Sequence, residues 1–324
     1  MRRGILNIFS YAIILLAYTG CDIHEFPTEG RNVVPLTIHL DIDTALPINN
    51  TIYYPQRGHV DEPNKASTHN IRYIINAYYN NSEIGENRTA DTTFVFTKSD
   101  INELDYTARI ELHEGAYRLL AWADYVDKES NEDKYYDTKE FSEIIIANRS
   151  NYAGSNDYRD TFKGESYIEL NSLVDNEVTI TMMRPVGKFK FIATNSEAYQ
   201  NRISDFNVIF RYNLFMPCSF NMFTDRPADS WTNMSFSSSM QRENDSEITL
   251  GYDYVFVGQN ETLLNISVDI YDKDGSLISS SSPINVPIVR NKLTIVKGDF
   301  FSSNASGGTT INPDYDGEDF NIPI

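Results

Sequence analysis

The sequence predicts an all-β protein, two β-sandwiches in tandem behind an N-terminal targeting segment. Three observations lead there. Apolar and polar residues alternate with a period of two in run after run, which puts one set of side chains on each face of an extended strand. Aromatic residues make up 13% of the chain, with 21 Tyr and 18 Phe against 2 Trp, and Tyr and Phe favour the pleated, half-buried surface of a sheet. Helical periodicity is weak throughout, and the best helical candidate is the short polar stretch Tyr158 to Lys163. With 41% hydrophobic and 23% charged residues, the 324-residue chain can bury a core and lacks the composition of a disordered one.

The elements follow in order. Val34, Leu36, Ile38, Leu40 and Ile42 alternate over a first strand, and Ile71, Tyr73, Ile75, Ala77 and Tyr79 over a second. Phe94 and Phe96 share a face of a third strand, Thr92 to Thr97. Thr107 to Leu112 and Ala116 to Tyr125 flank His113-Glu114-Gly115, which reads as a hairpin turn. Val178, Ile180 and Met182 precede Arg184-Pro185, and Phe189, Phe191 and Ala193 follow it. Phe206, Val208, Phe210 and Tyr212 make another clean alternation. Leu264, Ile266, Val268 and Ile270 run into Asp272-Lys273-Asp274-Gly275, a strong turn signal. Ile288, Leu293 and Ile295 belong to closing strands, and the polar stretch Asp225 to Ser246 reads as a long loop. One sandwich takes roughly 100 residues, so there is room for two. The best boundary is Arg184-Pro185-Val186-Gly187, because Pro cannot donate to a ladder and Gly weakens strand packing. The expected bodies are 33–184 and 185–324.

The first twenty residues read as an address. Arg2 and Arg3 precede a mostly apolar run from Ile5 to Tyr18, too short to span a bilayer comfortably and typical of a signal peptide, 1–20. The run ends in Tyr18-Thr19-Gly20-Cys21, which resembles a bacterial lipobox in a relaxed form with Tyr where Leu is preferred. That resemblance makes Cys21 the lipid attachment site and 21–32 a lipidated linker. Several acyl chains on one residue give stable anchoring. Losing Arg2 and Arg3 with the leader takes the net charge from −19 to −21.

That acidity argues against nucleic acid as a partner, since phosphate would be repelled. The two cysteines, Cys21 and Cys218, allow no disulfide framework or zinc knuckle, and the five histidines show no metal spacing. No nucleophile elbow, phosphate-binding glycine loop or dinucleotide fingerprint is present, so the expectation is a protein without metal, cofactor or catalytic residues. Cys218 lies beside Phe215 and Met216 and reads as a small buried hydrophobe. The carboxylates of 314–319 read as an acidic loop. Trp122 falls in an alternating strand and is expected in the core. Trp231, with Phe236 or Tyr252 nearby, is the candidate ligand platform.

Several segments resemble one family. Glu114-Gly115-Ala116-Tyr117-Arg118-Leu119-Leu120-Ala121-Trp122-Ala123-Asp124-Tyr125 is similar to the G-x-Y-x-hydrophobic-x-x-W-A-D segment of Bacteroidales fimbrial anchor lipoproteins of the FimB/Mfa type. Lys134 to Thr138, Tyr158 to Gly164 and Met183 to Phe189 resemble the segments that follow it, and Val286 to Gly298 resembles the family's closing hairpin. A gut Bacteroides subgroup of unassigned function is the nearest likeness. The resemblance implies two transthyretin-like sandwiches on a surface lipoprotein of the outer membrane that anchors or assembles a type V pilus. Its implied partners are pilin subunits or other surface proteins, met by strand pairing. Arg31 sits where pilins of such systems are cut, but cutting an anchor there would separate lipid from body, so Arg31 is read as a linker residue. The segment 320–324 could pair with a sheet edge, although Pro323 shortens any such strand. The alternative function is a glycan-binding surface lipoprotein of a carbohydrate-uptake system, which needs exposed aromatic rings.

Overall fold

The computed structural model describes residues 31–46, 48–50, 68–79, 89–129, 132–259 and 261–302. Cys21, the leader, 314–319 and 320–324 lie outside the described residues. The chain is all-β. Its first part contains β1 (Val33–Ile42), β2 (Ile48–Asn50), β3 (His69–Tyr79), β4 (Thr92–Lys98), β5 (Tyr106–His113), β6 (Gly115–Asp127), β7 (Tyr136–Asp137), β8 (Ile144–Ile146), β9 (Thr161–Leu170) and β10 (Asn176–Met182). The second part contains β11 (Val186–Ala193), β12 (Phe206–Tyr212), β13 (Met216–Pro217), β14 (Ser219–Asn221), β15 (Arg226–Pro227) and β16 (Ser230–Trp231). It continues through β17 (Met234–Ser238), β18 (Gln241–Arg242), β19 (Ile248–Phe256), β20 (Glu261–Asp272), β21 (Leu277–Ser280), β22 (Ile284–Val289) and β23 (Leu293–Gly298).

In the first sandwich a three-stranded sheet, β10-β1-β5, faces a four-stranded sheet, β4-β3-β6-β9. The alternation seen in sequence builds the core between them. Val34, Leu36, Ile38, Leu40 and Ile42 of β1 point inward with Ala108, Ile110 and Leu112 of β5. They meet Ile71, Tyr73, Ile75 and Ala77 of β3 and Leu119, Ala121 and Ala123 of β6. The sandwich closes where β9 meets β10. A Cβ at Gly164 would stand 2.8 Å from the Thr181 carbonyl oxygen, so only glycine lets the two strands approach this closely.

The second sandwich sets the sheet β18-β19-β11-β23-β2 against β17-β12-β20, with β21 and β22 pairing successive stretches of β20. Its outermost strand β2 comes from the first part of the chain and runs parallel to β23. Another sheet, β15-β14-β8-β7, also mixes the two parts, because Ile144 and Ile145 of β8 pair with Phe220 and Ser219 of β14. The second core therefore extends to the far face of β3 and β6, where Ile74, Tyr78, Leu120 and Trp122 pack with Tyr136, Phe220 and Phe256.

Four sequence expectations need correction. His113-Glu114-Gly115 is no hairpin, since β5 pairs with β1 while β6 pairs with β3 and β9. The chain changes sheets there through Gly115 at φ +138°, a conformation that favours glycine. The closing strands likewise belong to facing sheets, β22 beside β20 and β23 beside β11. Asp272 to Gly275, by contrast, does turn one strand back on its neighbour, β20 onto β21, with Gly275 at φ +81°. The stretch Asp225 to Ser246 holds β15, β16, β17 and β18 rather than one loop; its inward residues, Met234 and Phe236, are too sparse among serines to show a period. The helical candidate at Tyr158 is a 3-10 turn, Asp157–Arg159, just before β9 begins, and the longest helical stretch among the described residues is the 3-10 segment Glu197–Asp205, kinked at Arg202.

Candidate functional site

Two places in the fold concentrate polar groups that the sequence did not bring together. The first is an open sheet edge. β4 forms an unbroken antiparallel ladder with β3, from Ile71 against Lys98 to Ala77 against Thr92, and ends its sheet among the described residues. It contains no proline, no bulge and no charge before Lys98, the devices that usually blunt an edge. Among the described residues β5 also pairs on one side only, but it turns Thr107, Arg109 and Glu111 outward. On β4 the outward residue at the centre is Val95, 56% exposed.

Beside this edge lies a groove of about 490 Å³ lined by Arg72, Ile74, Asn76, Thr93, Val95 and Thr138. Its floor is polar but internally satisfied. The Arg72 guanidinium donates to both carboxylate oxygens of Asp124 at 3.0 and 2.8 Å and pairs with Asp133 at 2.8 Å. The Thr93 hydroxyl donates to the Asn76 amide oxygen at 2.7 Å. Such a floor holds the rim in place, and an extended segment laid along β4 would find main-chain partners on one side and a shallow trough on the other.

The second place is a charged junction between the sandwiches. Arg159 donates to Asp253 at 2.8 Å, and the Tyr212 hydroxyl donates to the other Asp253 oxygen at 2.6 Å. Both charged side chains are buried. Arg184 grips Asp160 through two nitrogens at 2.7 and 2.8 Å. It also donates to the carbonyl of Ala45 at 2.9 Å, the carbonyl of Thr44 at 3.2 Å and the Asn291 side chain at 3.1 Å. Asp157 accepts from Lys188 and from the hydroxyls of Tyr252 and Tyr254. Burial alone would raise its pKa, but Lys188 and the two hydroxyls outweigh that and hold the carboxyl below its usual range. Buried charges survive only when paired in this manner. The motif Tyr158 to Gly164 thus supplies two charges that reach the second sandwich directly, Arg159 to Asp253 and Lys163 to Asp225, and a third, Asp160, that positions Arg184 at the junction.

The model of one family, described as a family of unknown function (DUF6562), matches residues 27–324. The chain belongs to DUF6562. No curated protein matches it. Among solved structures, this DUF6562 chain resembles the fimbrial anchor protein Mfa2 from Porphyromonas gingivalis at 10% identity and TM-score 0.36, over 76% of this chain and 82% of that one. A fimbrial assembly protein from Parabacteroides distasonis is similar at 8% identity and TM-score 0.40, over 82% and 91% of the two chains. A candidate polysaccharide-binding protein from Bacteroides thetaiotaomicron is similar at 12% identity and TM-score 0.44, over 76% and 79%.

The single residues singled out in sequence fall as follows. Trp122 is fully buried, edge-on to Tyr136 at 5.6 Å. Cys218 is buried, and burial pushes its thiol up to about 12, which suits a packing residue rather than a nucleophile. Trp231 of this DUF6562 chain is half-buried in β16 opposite Met216, with the Arg149 guanidinium 5.2 Å from its ring. Phe236 and Tyr252 are buried, so these three rings form no open row. Arg31 is exposed, with its guanidinium 4.1 Å from the Tyr79 ring. Among the described residues, no cluster of three His, Cys, Asp or Glu is placed to hold a metal ion, and no helix is long and apolar enough to cross a membrane. The sequence missed the β4 edge, because alternation reveals a strand but not whether both its sides are paired.

Proposed function

We propose that this chain is a surface-tethered lipoprotein that anchors or assembles a fimbria. In this reading acyl chains on Cys21 hold it at the outer membrane, facing outward, and a pilin or another surface protein joins it by strand pairing. We assign it no catalytic role. The observation that carries the reading is the regular edge of β4, unpaired among the described residues and without charge before Lys98, beside its groove, a surface suited to accept one more strand. The resemblance of its ordered segments to fimbrial anchors, from Glu114 to Gly298, supports the partner class. The glycan-binding alternative needs exposed rings, and the burial of Phe236 and Tyr252 removes two of its three candidates.

The test has two arms. Metabolic labelling with palmitate should mark the wild type, and Cys21→Ala should release the chain into the soluble fraction; an unlabelled wild type ends the tether reading. Pull-down from cells carrying pilins should recover pilin subunits with the wild type. Val95→Lys, which plants a charge on the edge without touching the core, should lose them. Equal recovery with Val95→Lys removes β4 as the joining edge.

A further inference from the structure

One end of the first sandwich holds two aliphatic side chains out into solvent. In the turn between β9 and β10, Leu173 is 89% exposed and Val174 is 61% exposed. The turn is fixed rather than loose. The Asn171 side chain accepts from the Leu173 amide at 2.7 Å, and the Asn176 side chain accepts from the Asn171 amide at 3.1 Å. The Asn176 amide group in turn donates to the carbonyls of Asn171 and Pro35. Glu114 accepts from the Ser172 amide at 2.7 Å, and hydrogen bonds from Ser172 and Asn32 hold its carboxyl below the usual range. A turn so heavily braced keeps its apolar pair exposed when it could have folded it away.

The same Glu114 ties the turn to the point where the chain enters the fold. Its other oxygen accepts from the Asn32 side chain at 3.1 Å, and its amide donates to the Asn32 carbonyl at 2.9 Å. Val33, next along, is 55% exposed. Arg31 and the half-buried Tyr79 stand at the same end, a basic and an aromatic group of the kind that settle at a membrane interface. Ten peptide units separate Cys21 from Arg31, a span of at most about 35 Å. A lipid on Cys21 would therefore join the body at this end, with no more than that length of linker between them.

We infer that the turn bearing Leu173 and Val174 is a membrane-contact tip that dips into the interface of a zwitterionic bilayer. The inference rests on the tether reading above. The lipid surface should be neutral, because the net charge of −19 becomes −21 once the leader is lost, and Asp175 flanks the tip. Two shallowly inserted aliphatic residues hold the body upright over its anchor, where a lipid tether alone leaves it free to tumble.

The experiment uses the full acylated chain in vesicles of phosphatidylcholine and phosphatidylethanolamine. An environment-sensitive fluorophore is placed on Leu173→Cys and, as the control, on Val95→Cys, both in a Cys218→Ala background. The label at 173 should shift to the blue and be quenched severalfold more by lipid-borne spin labels than the label at 95. Val174→Asp in the same chain should abolish that excess quenching while palmitate labelling and vesicle association persist. A water-like label at 173 on a chain that carries palmitate overturns the tip and leaves the tether standing. Shielding at 173 that appears only when a protein partner is added, without lipid quenching, also overturns it. A chain that carries no palmitate ends both readings.

Discussion

The two sheets of the first sandwich differ in what lies behind them. β1 of the outer sheet alternates strictly, inward apolar and buried, outward exposed or half-buried, because its far face is turned to solvent. β3 of the inner sheet is buried at every position from His69 to Tyr78, because one face meets the first core and the other meets the second. Both strands show the same period of two in their apolar residues. What distinguishes them is the residues in between. In β1 these are Pro35, Thr37, His39 and Asp41; in β3 they include Asn70, Arg72 and Asn76, buried polar groups held by partners such as Asp124 and Thr93. A buried second face can thus be written in polar residues, provided each finds a partner.

This contrast can be broken or sharpened, and the largest effects should come from the shared face. Arg159→Ala leaves Asp253 buried without its cation and should cost about 3–5 kcal/mol in urea unfolding. Trp122→Ala opens a cavity on the same side and should cost about 3–5 kcal/mol. If the two sandwiches unfold as one unit, both variants shift a single transition; a split into two transitions would make the shared face a mere contact. Ile75→Ala, on the private face, should cost about 2–5 kcal/mol without any such split. Gly115→Ala should cost about 1–3 kcal/mol, since its Cβ would lie 2.5 Å from the Tyr79 ring at a φ that alanine avoids. Cys218 should resist a thiol reagent at neutral pH in the folded chain and react at once in denaturant, as a thiol pushed up to about 12 requires. The smallest effect should be a pH dependence. The Asp157 carboxyl sits below its ordinary value of 3.8 in the folded chain, so its contribution is present above that value and fades as pH falls through the folded one. Asp157→Asn should remove that acid-side loss and leave the rest of the curve in place.

Much of the fold was legible in the sequence, and the reason is local. The strands β1, β3, β10, β12 and β20 each alternate over seven or more residues, and alternation is a property of a strand by itself. Pairing is not. Asp272 to Gly275 and His113 to Gly115 look alike as turns, yet one joins neighbours in a sheet and the other crosses between sheets. That choice is made by the partners waiting on either side, β20 with β21 in one case and β1 against β3 in the other. The junction was half visible. Tyr158 to Gly164 stood out as a motif, but its charges gain meaning only beside Asp253 and Arg184, the first of them more than ninety residues away. The β4 edge left no mark in sequence, because an edge is defined by pairing, and among the described residues β4 pairs with β3 alone.

The position of β1 has a mechanical consequence. It lies between β5 and β10, antiparallel to one and parallel to the other, and the chain leaves β10 through Arg184 toward the second sandwich. A pull applied ahead of Val33 and resisted through the second sandwich draws β1 and β10 lengthwise in opposite directions. Every rung of that ladder, from Leu36 against Asn176 to Ile42 against Met182, then resists together instead of opening one at a time. Behind it, Arg184 fastens the carbonyls of Thr44 and Ala45 like a knot at the end of the rope.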